Sequence, residues 1–409
     1  MSSVVRRGLA AMLGLATLGV LGVTTAAPAQ AAAGDCPSGY FCAWKTDNAT
    51  GTMFKTSEST ATLGEWNNTF RSVVNRTSQV ACLYDKENYA PAVEADTDYV
   101  VGPEDGTGGY RVFGTVNTGS LKFVGTTREC DGNTYPAWQA ETAPEAAGFG
   151  DLNADKKSDV LVRDKAGRLW FLPGDRTGRI VSTGWNDYDA LTRHGDVSGD
   201  GREDVIAREK ATGKLWLHPG TGTGDFGARV LIGTGGWNGM DKVTAFGDLT
   251  ADGRSDLLAV EKTTGKLWLY PSTPTGTLGT RVLLGTGGWN AMNALVGAGD
   301  MNGDGHPDLI AREASTAKLW LYPSTATGTL GARVLIGSGG WNRLGAFLAV
   351  GDFSGDGRAD LAAISGSSFV IDGVPGKMGW LVTYEGLGTG ALAAGQTVDP
   401  GWDDLNGAF

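Results

Sequence analysis

From residue 150 onward one segment returns five times: GDLNADKKSD at 150, GDVSGDGRED at 195, GDLTADGRSD at 247, GDMNGDGHPD at 299 and GDFSGDGRAD at 351. The copies stand 45, 52, 52 and 52 residues apart. Such a period fixes the architecture, because a unit of about 50 residues buries no core alone and must stack on its neighbours. In the third unit an apolar run (Leu257-Leu258-Ala259-Val260) is followed by a Gly-containing turn and the alternating strand Lys266-Leu267-Trp268-Leu269-Tyr270. A further strand (Arg281-Val282-Leu283-Leu284), then Gly287-Gly288-Trp289-Asn290 and an apolar stretch, lead into the next copy. Short runs of period two predict strands. About four per unit is the content of one propeller blade, so the expected fold is all-β, with five blades closing into a ring and an open array as the alternative. Closure would set Leu405–Phe409 near the first strand, Ala146–Phe149. The first unit is seven residues short, and the last carries an insertion around Ser365–Gly379.

Ten of the 13 tryptophans belong to the repeat. Trp170, Trp216, Trp268, Trp320 and Trp380 fall in the alternating strand, and Trp185, Trp237, Trp289, Trp341 and Trp402 follow a glycine. Large rings at fixed positions are expected to fill the space between blades. An exposed tryptophan would instead point to a ligand.

Numbered from its first Asp, the repeated loop has Asp at 1, Asn, Ser or Thr at 3, Asp at 5, Gly at 6 in four copies of five, and Asp at 9. Hard oxygen ligands two residues apart, around a glycine that lets the chain turn sharply, suit a calcium ion with six to eight oxygen ligands. The candidate ligands are Asp151, Asn153, Asp155 and Asp159; Asp196, Ser198, Asp200 and Asp204; Asp248, Thr250, Asp252 and Asp256; Asp300, Asn302, Asp304 and Asp308; and Asp352, Ser354, Asp356 and Asp360. Position 7 would lend a backbone carbonyl, which makes the His306 side chain a bystander. An EF-hand would need Glu at position 12, where these loops have Val162, Ala207, Ala259, Ala311 and Ala363. Asp- and Gly-rich turns also form without metal, but five in-register copies that keep the last Asp favour calcium, up to five ions. The first loop departs most, because Lys156 replaces the glycine.

These loops resemble the FG-GAP/VCBS repeats of integrin-type and bacterial lectin-type β-propellers, over about residues 141–409. The resemblance implies calcium inside each blade and, by analogy with propeller lectins, aromatic and amide side chains that could stack on sugars.

Residues 1–33 read as a secretory signal peptide: Arg6 and Arg7, an apolar run of about 15 residues from Leu9 to Val23, and the small-x-small signal Ala29-Gln30-Ala31. That run is short for a membrane anchor, so the mature chain is expected outside the cell, where cysteines pair. Cys36, Cys42, Cys82 and Cys130 allow three connectivities, and the tight first spacing favours Cys36–Cys42 with Cys82–Cys130. All four precede residue 140.

Residues 34–140 form a separate domain. CPSGYFCAWKTDNATG, WNNTFRSVVNRT and CLYDKENYAP resemble the βγ-crystallin-like secreted peptidase inhibitors of actinobacteria. The resemblance implies two Greek-key halves, one with Trp44 and Gly51, the other with Tyr84 and Tyr89, closed by strands at Ser72-Val73-Val74 and Ser120-Leu121-Lys122. Pro91 stands where that family has Gly. In Asn67-Asn68-Thr69-Phe70-Arg71-Ser72 an arginine occupies the fifth place of the crystallin calcium pattern, so no calcium is expected in this domain. In the family a short second Cys pair braces the inhibitory loop, whereas Cys82 and Cys130 lie 48 apart. No reactive bond is assigned.

The chain carries no G-x-S-x-G, H-E-x-x-H or P-loop motif. Its three histidines, His194, His218 and His306, all lie in the repeats, and His218 takes the place of Tyr270 and Tyr322. No catalytic residue is therefore expected. A net charge of -11 argues against nucleic acid or an anionic membrane as partner. Without Arg6 and Arg7 the balance is 32 basic to 45 acidic residues, of which fifteen are loop aspartates. The acidity is thus a property of the metal loops. The expected protein is a secreted, monomeric, calcium-binding propeller that displays or anchors an inhibitor-like domain against an extracellular peptidase. The alternative is a lectin or adhesion protein binding glycans or another cell-surface ligand.

Overall fold

The computed structural model describes residues 33–89, 99–103, 110–112, 117–125, 127–130, 136–143, 149–366, 370–371, 374–375, 378–403 and 405–409. The signal peptide reading and Pro91 lie outside them, Ala33 excepted. Among the described residues the regular elements are strands and short 3-10 turns, and no helix is long and apolar enough to cross a membrane.

The N-terminal domain has seven strands: β1 (Phe41–Trp44), β2 (Met53–Thr56), β3 (Ser72–Asn75), β4 (Val80–Tyr84), β5 (Tyr99–Val101), β6 (Tyr110–Val112) and β7 (Ser120–Val124). One sheet runs β2-β1-β3-β6 and the other β5-β4-β7, with Thr60 bridging to Leu121 on the second. Each half thus lends a segment to the other half's sheet. Alternation along β1 sends Phe41 and Ala43 into the core between the sheets, with Leu83 and Leu121, while Cys42 and Trp44 pack beneath with Cys36 and Val74. The two halves repeat one fastening: Ser72 Oγ accepts the Ala49 N–H and donates to the Thr46 carbonyl, and Ser120 Oγ does the same for Tyr89 and Lys86. The favoured disulfides are the ones present, with Cα–Cα distances of 5.8 Å for Cys36–Cys42 and 5.4 Å for Cys82–Cys130.

Five four-stranded antiparallel sheets follow. In blade 3 the order from the axis outward is Met240–Gly247, Asp256–Glu261, Leu267–Tyr270 and Val282–Gly285. The innermost strand precedes the Asp loop, so blades are out of phase with the sequence repeats by one strand. The fifth repeat therefore ends on a strand that blade 5 does not use. That strand, Leu405–Ala408, completes blade 1 by pairing with Val160–Asp164, and Phe409 exchanges two 2.9 Å backbone bonds with Leu161. Of the expected neighbour, Ala146–Phe149, only Phe149 is among the described residues. Blade 1 has no described strand ahead of its own loop, and the Phe149 ring stacks on His194 at 3.7 Å.

A strap adds to the closure. Trp138 is buried in the cluster that joins blades 1 and 5, and its Nε1 donates to the Ser158 carbonyl. The propeller core thus takes in residues ahead of 141. Arg168 links the two domains, bonding Asp164 at 2.6 Å and Glu129 of the N-terminal domain.

Each Gly-Gly-Trp turn shows why its residues recur. Gly236, Gly288 and Gly340 have φ of 82–83°, a left-handed conformation open to glycine. Upstream, a Cβ on Gly233, Gly285 or Gly337 would lie within 2.2 Å of the Trp237, Trp289 or Trp341 indole nitrogen. The turn also anchors neighbouring blades. Arg163, Arg208 and Arg312 each donate to two carbonyls of the next blade's turn, those of Trp185 and Tyr188, Trp237 and Met240, and Trp341 and Leu344.

In the other tryptophan series, Trp170, Trp216, Trp268 and Trp320 share one register, opposite Val162, Ala207, Ala259 and Ala311. Trp380 does not belong to it: Val382 stands opposite Ala363. The insertion after Ser365 shifts the frame by two residues. The His218 alignment holds, since His218 faces Val205 as Tyr270 faces Leu257.

Candidate metal centres

In blades 2–5 each Asp loop joins the innermost strand to the next strand, so these loops gather at one mouth of the channel. A cavity of about 530 Å³ there is lined by Asp196, Asp248, Asp300, His194 and His306 among others. The loop fold follows from its aspartates. In all five loops the first Asp carboxylate accepts the N–H of position 6 at 2.7–2.9 Å. The Asp at 5 accepts the N–H of position 7 at 2.9–3.0 Å. Both bonds curl the chain so that Asp151, Asn153 and Asp155, and their counterparts in each later loop, sit round one turn. Glycines at 4 and 6 take positive φ, as Gly199 and Gly201 do at 84°.

The last Asp is placed differently. Asp159, Asp204, Asp256, Asp308 and Asp360 are buried under the loop, and each accepts the N–H of position 2 at 2.6–3.1 Å. Burial pushes Asp204, Asp256 and Asp360 up to about 6, Asp308 to about 7 and Asp159 to about 8. Among the described residues no three carboxylate, imidazole or thiol groups converge closely enough to hold a metal ion as they are placed. The donor set nevertheless fits calcium in kind: three carboxylates, one amide or hydroxyl oxygen and a position 7 carbonyl per loop. The buried acids of loops 2–5, Asp204, Asp256, Asp308 and Asp360, are held by backbone N–H donors. A bound divalent ion would offset the cost of burying them.

Most of the repeat tryptophans are covered, and Trp341 and Trp380 are half-buried. Trp185, Trp237, Trp289 and Trp402 are buried. Trp216, Trp268 and Trp320 are half-buried, and the guanidiniums of Arg229, Arg281 and Arg333 each lie 3.9 Å from one ring centre. Of the histidines, His218 packs against Trp185 at 4.8 Å, and burial pushes it down to about 4 and His194 to about 3. At the opposite mouth a 480 Å³ cavity holds two carboxylates, Asp189 and Asp241. Arg208 and Lys242 pair with them.

In the N-terminal domain Arg71, at the fifth place of the crystallin pattern, pairs with Asp47 at 3.8 Å. A guanidinium there occupies the position that calcium chemistry gives to a hydroxyl.

No curated protein matches the chain. Among solved structures it is similar to an Agrocybe aegerita lectin described as recognising non-reducing terminal N-acetylglucosamine, at 17% identity and a TM-score of 0.36, covering 62% of this chain and 65% of that one. It is also similar to BBS1N in complex with ARL6DN, at 10% identity and a TM-score of 0.33, covering 65% of this chain and 86% of that one. Residues 29–95 match peptidase inhibitor family I36, and residues 196–259, 248–311 and 300–363 match the FG-GAP-like repeat. The chain therefore carries a peptidase inhibitor family I36 domain, followed by an all-β array of FG-GAP-like repeats.

Proposed function

We propose that this is a secreted, non-enzymatic protein in which a calcium-stabilised five-bladed propeller holds a βγ-crystallin-like inhibitor domain in position to block an extracellular peptidase. The observation that carries the reading is the I36 match over residues 29–95, on a domain of two sheets that exchange strands, with both cysteine pairs bonded. A domain stapled in this way suits an oxidising compartment. The propeller serves as the support: Glu129, beside the Cys82–Cys130 bond, is tied through Arg168 to blade 1. Glycan binding has less support, because Trp185, Trp237, Trp289 and Trp402 are buried and Trp216, Trp268 and Trp320 lie under arginines.

The test is titration of secreted metallo- and serine peptidases with the full mature chain. Loss of activity that saturates near one inhibitor per enzyme at micromolar concentration is expected for at least one class. Full activity of every peptidase at a tenfold excess would refute the reading.

A further inference from the structure

The five loops are not equivalent, and the difference is concentrated in blade 1. In loops 2–5 the position 3 N–H (Ser198, Thr250, Asn302, Ser354) donates to the buried carboxylate at position 9, at 2.7–3.2 Å. The second oxygen of that carboxylate accepts an N–H from beyond the blade's third strand, of Gly220, Ser272, Ser324 or Gly386, at 2.8–3.2 Å. Loop 1 makes neither bond. The Asn153 N–H turns to Asp151 at 3.2 Å, and Asp159 Oδ1 is buried without a hydrogen-bond partner. Lys156, at a φ of 67°, stands where the other loops have Gly201, Gly253, Gly305 and Gly357.

Loop 1 has instead a cation of the protein's own. Arg193 faces Val205 on the innermost strand of blade 2, where blades 3 and 4 place Ala245 and Gly297. Its guanidinium donates to the Asp159 carbonyl and pairs with Glu203 at 2.9 Å, the two side chains being 2% and 3% exposed. Glu203 accepts the Gly150 N–H at 2.8 Å, immediately ahead of Asp151. It occupies position 8, which is Ser158, Ser255, Pro307 or Ala359 in the other loops. Both charges are thus peculiar to blade 2, and both grip loop 1. The guanidinium on the Asp159 carbonyl and the carboxylate on the Gly150 N–H together fasten the loop without a metal.

We propose that the Arg193–Glu203 pair takes the place of the metal in blade 1, so that the ring binds four calcium ions, in blades 2–5. The inference rests on the calcium reading of those four loops. It gives the protein a calcium-independent fastening at the blade that closes the ring and contacts the I36 domain, so this junction stays set when calcium is scarce.

Equilibrium dialysis of the full mature chain against calcium, with the bound metal counted per chain, tests it. Asp155 and Asp252 are both exposed position 5 residues, so their alanine variants are expected to fold. Asp155→Ala should leave the count unchanged, while Asp252→Ala should lower it by one. Loss of one ion from Asp155→Ala overturns the proposal. If neither substitution changes the count, the calcium reading itself has failed and the inference falls with it.

Discussion

Chelating calcium from the full chain is expected to lower the melting temperature of the propeller by about 20 °C while leaving the transition of the I36 domain nearly in place. Each saturated site adds about 2.7 kcal/mol when free calcium is 100 times its dissociation constant. Four such sites give on the order of 11 kcal/mol, as much as the whole stability of an ordinary domain. For a domain above about 150 residues, 1 kcal/mol shifts the midpoint by about 2 °C or more. Without the ion, loops 1–4 keep one half-buried and one exposed aspartate over a buried one, and loop 5 keeps exposed Asp356 over buried Asp352 and Asp360. The I36 domain has no such loop. It is braced by Cys36–Cys42 and Cys82–Cys130, and its Arg71 pairs with Asp47. Calorimetry with and without chelator reads both transitions, and an unchanged propeller transition would count against the loops as a source of stability.

Deleting Leu405–Phe409 should cost the propeller at least about 4 kcal/mol and cause association of the folded remainder. The segment supplies the innermost strand of blade 1, and its loss strips the partners from one edge of Val160–Asp164. Leu161 would lose both backbone bonds to Phe409, and Arg163 its bond to the Asn406 carbonyl at 3.1 Å. Leu405 packs on the cluster that joins blades 1 and 5, and Phe409 on that between blades 1 and 2. A strand as apolar as Val160-Leu161-Val162, left as an open edge, is a template for pairing between molecules. Sedimentation of the truncated chain should show species larger than the monomer. A truncated chain that stays monomeric, with an unchanged melt, would mean that the ring does not depend on this closure.

Much of this was legible because the repeat is governed by local chemistry. Asp carboxylates capture nearby N–H groups, glycines take positive φ, and alternation marks strands, so loops, strands and Gly-Gly-Trp turns fall where their residues place them. What the sequence hid is non-local. The one-strand offset between repeats and blades depends on which strand pairs across the loop, and it sets the tail against Val160–Asp164. Trp380 looked like a member of its series until the insertion after Ser365 shifted the frame by two. Arg163, Arg208 and Arg312 staple adjacent blades, and their recurrence after an apolar run in three of five units was a usable signal. Arg193 and Glu203 gave none, because they matter only through the neighbouring blade that they reach.

The account stands or falls on what occupies the loops, and a crystal structure grown in calcium settles that directly. Anomalous peaks are expected in blades 2–5, each about 2.3–2.6 Å from oxygens of the position 1, 3, 5 and 9 side chains, with Arg193 and Glu203 paired beside a metal-free loop in blade 1. Loops filled only by water, with the carboxylates still turned to backbone N–H groups, would contradict it.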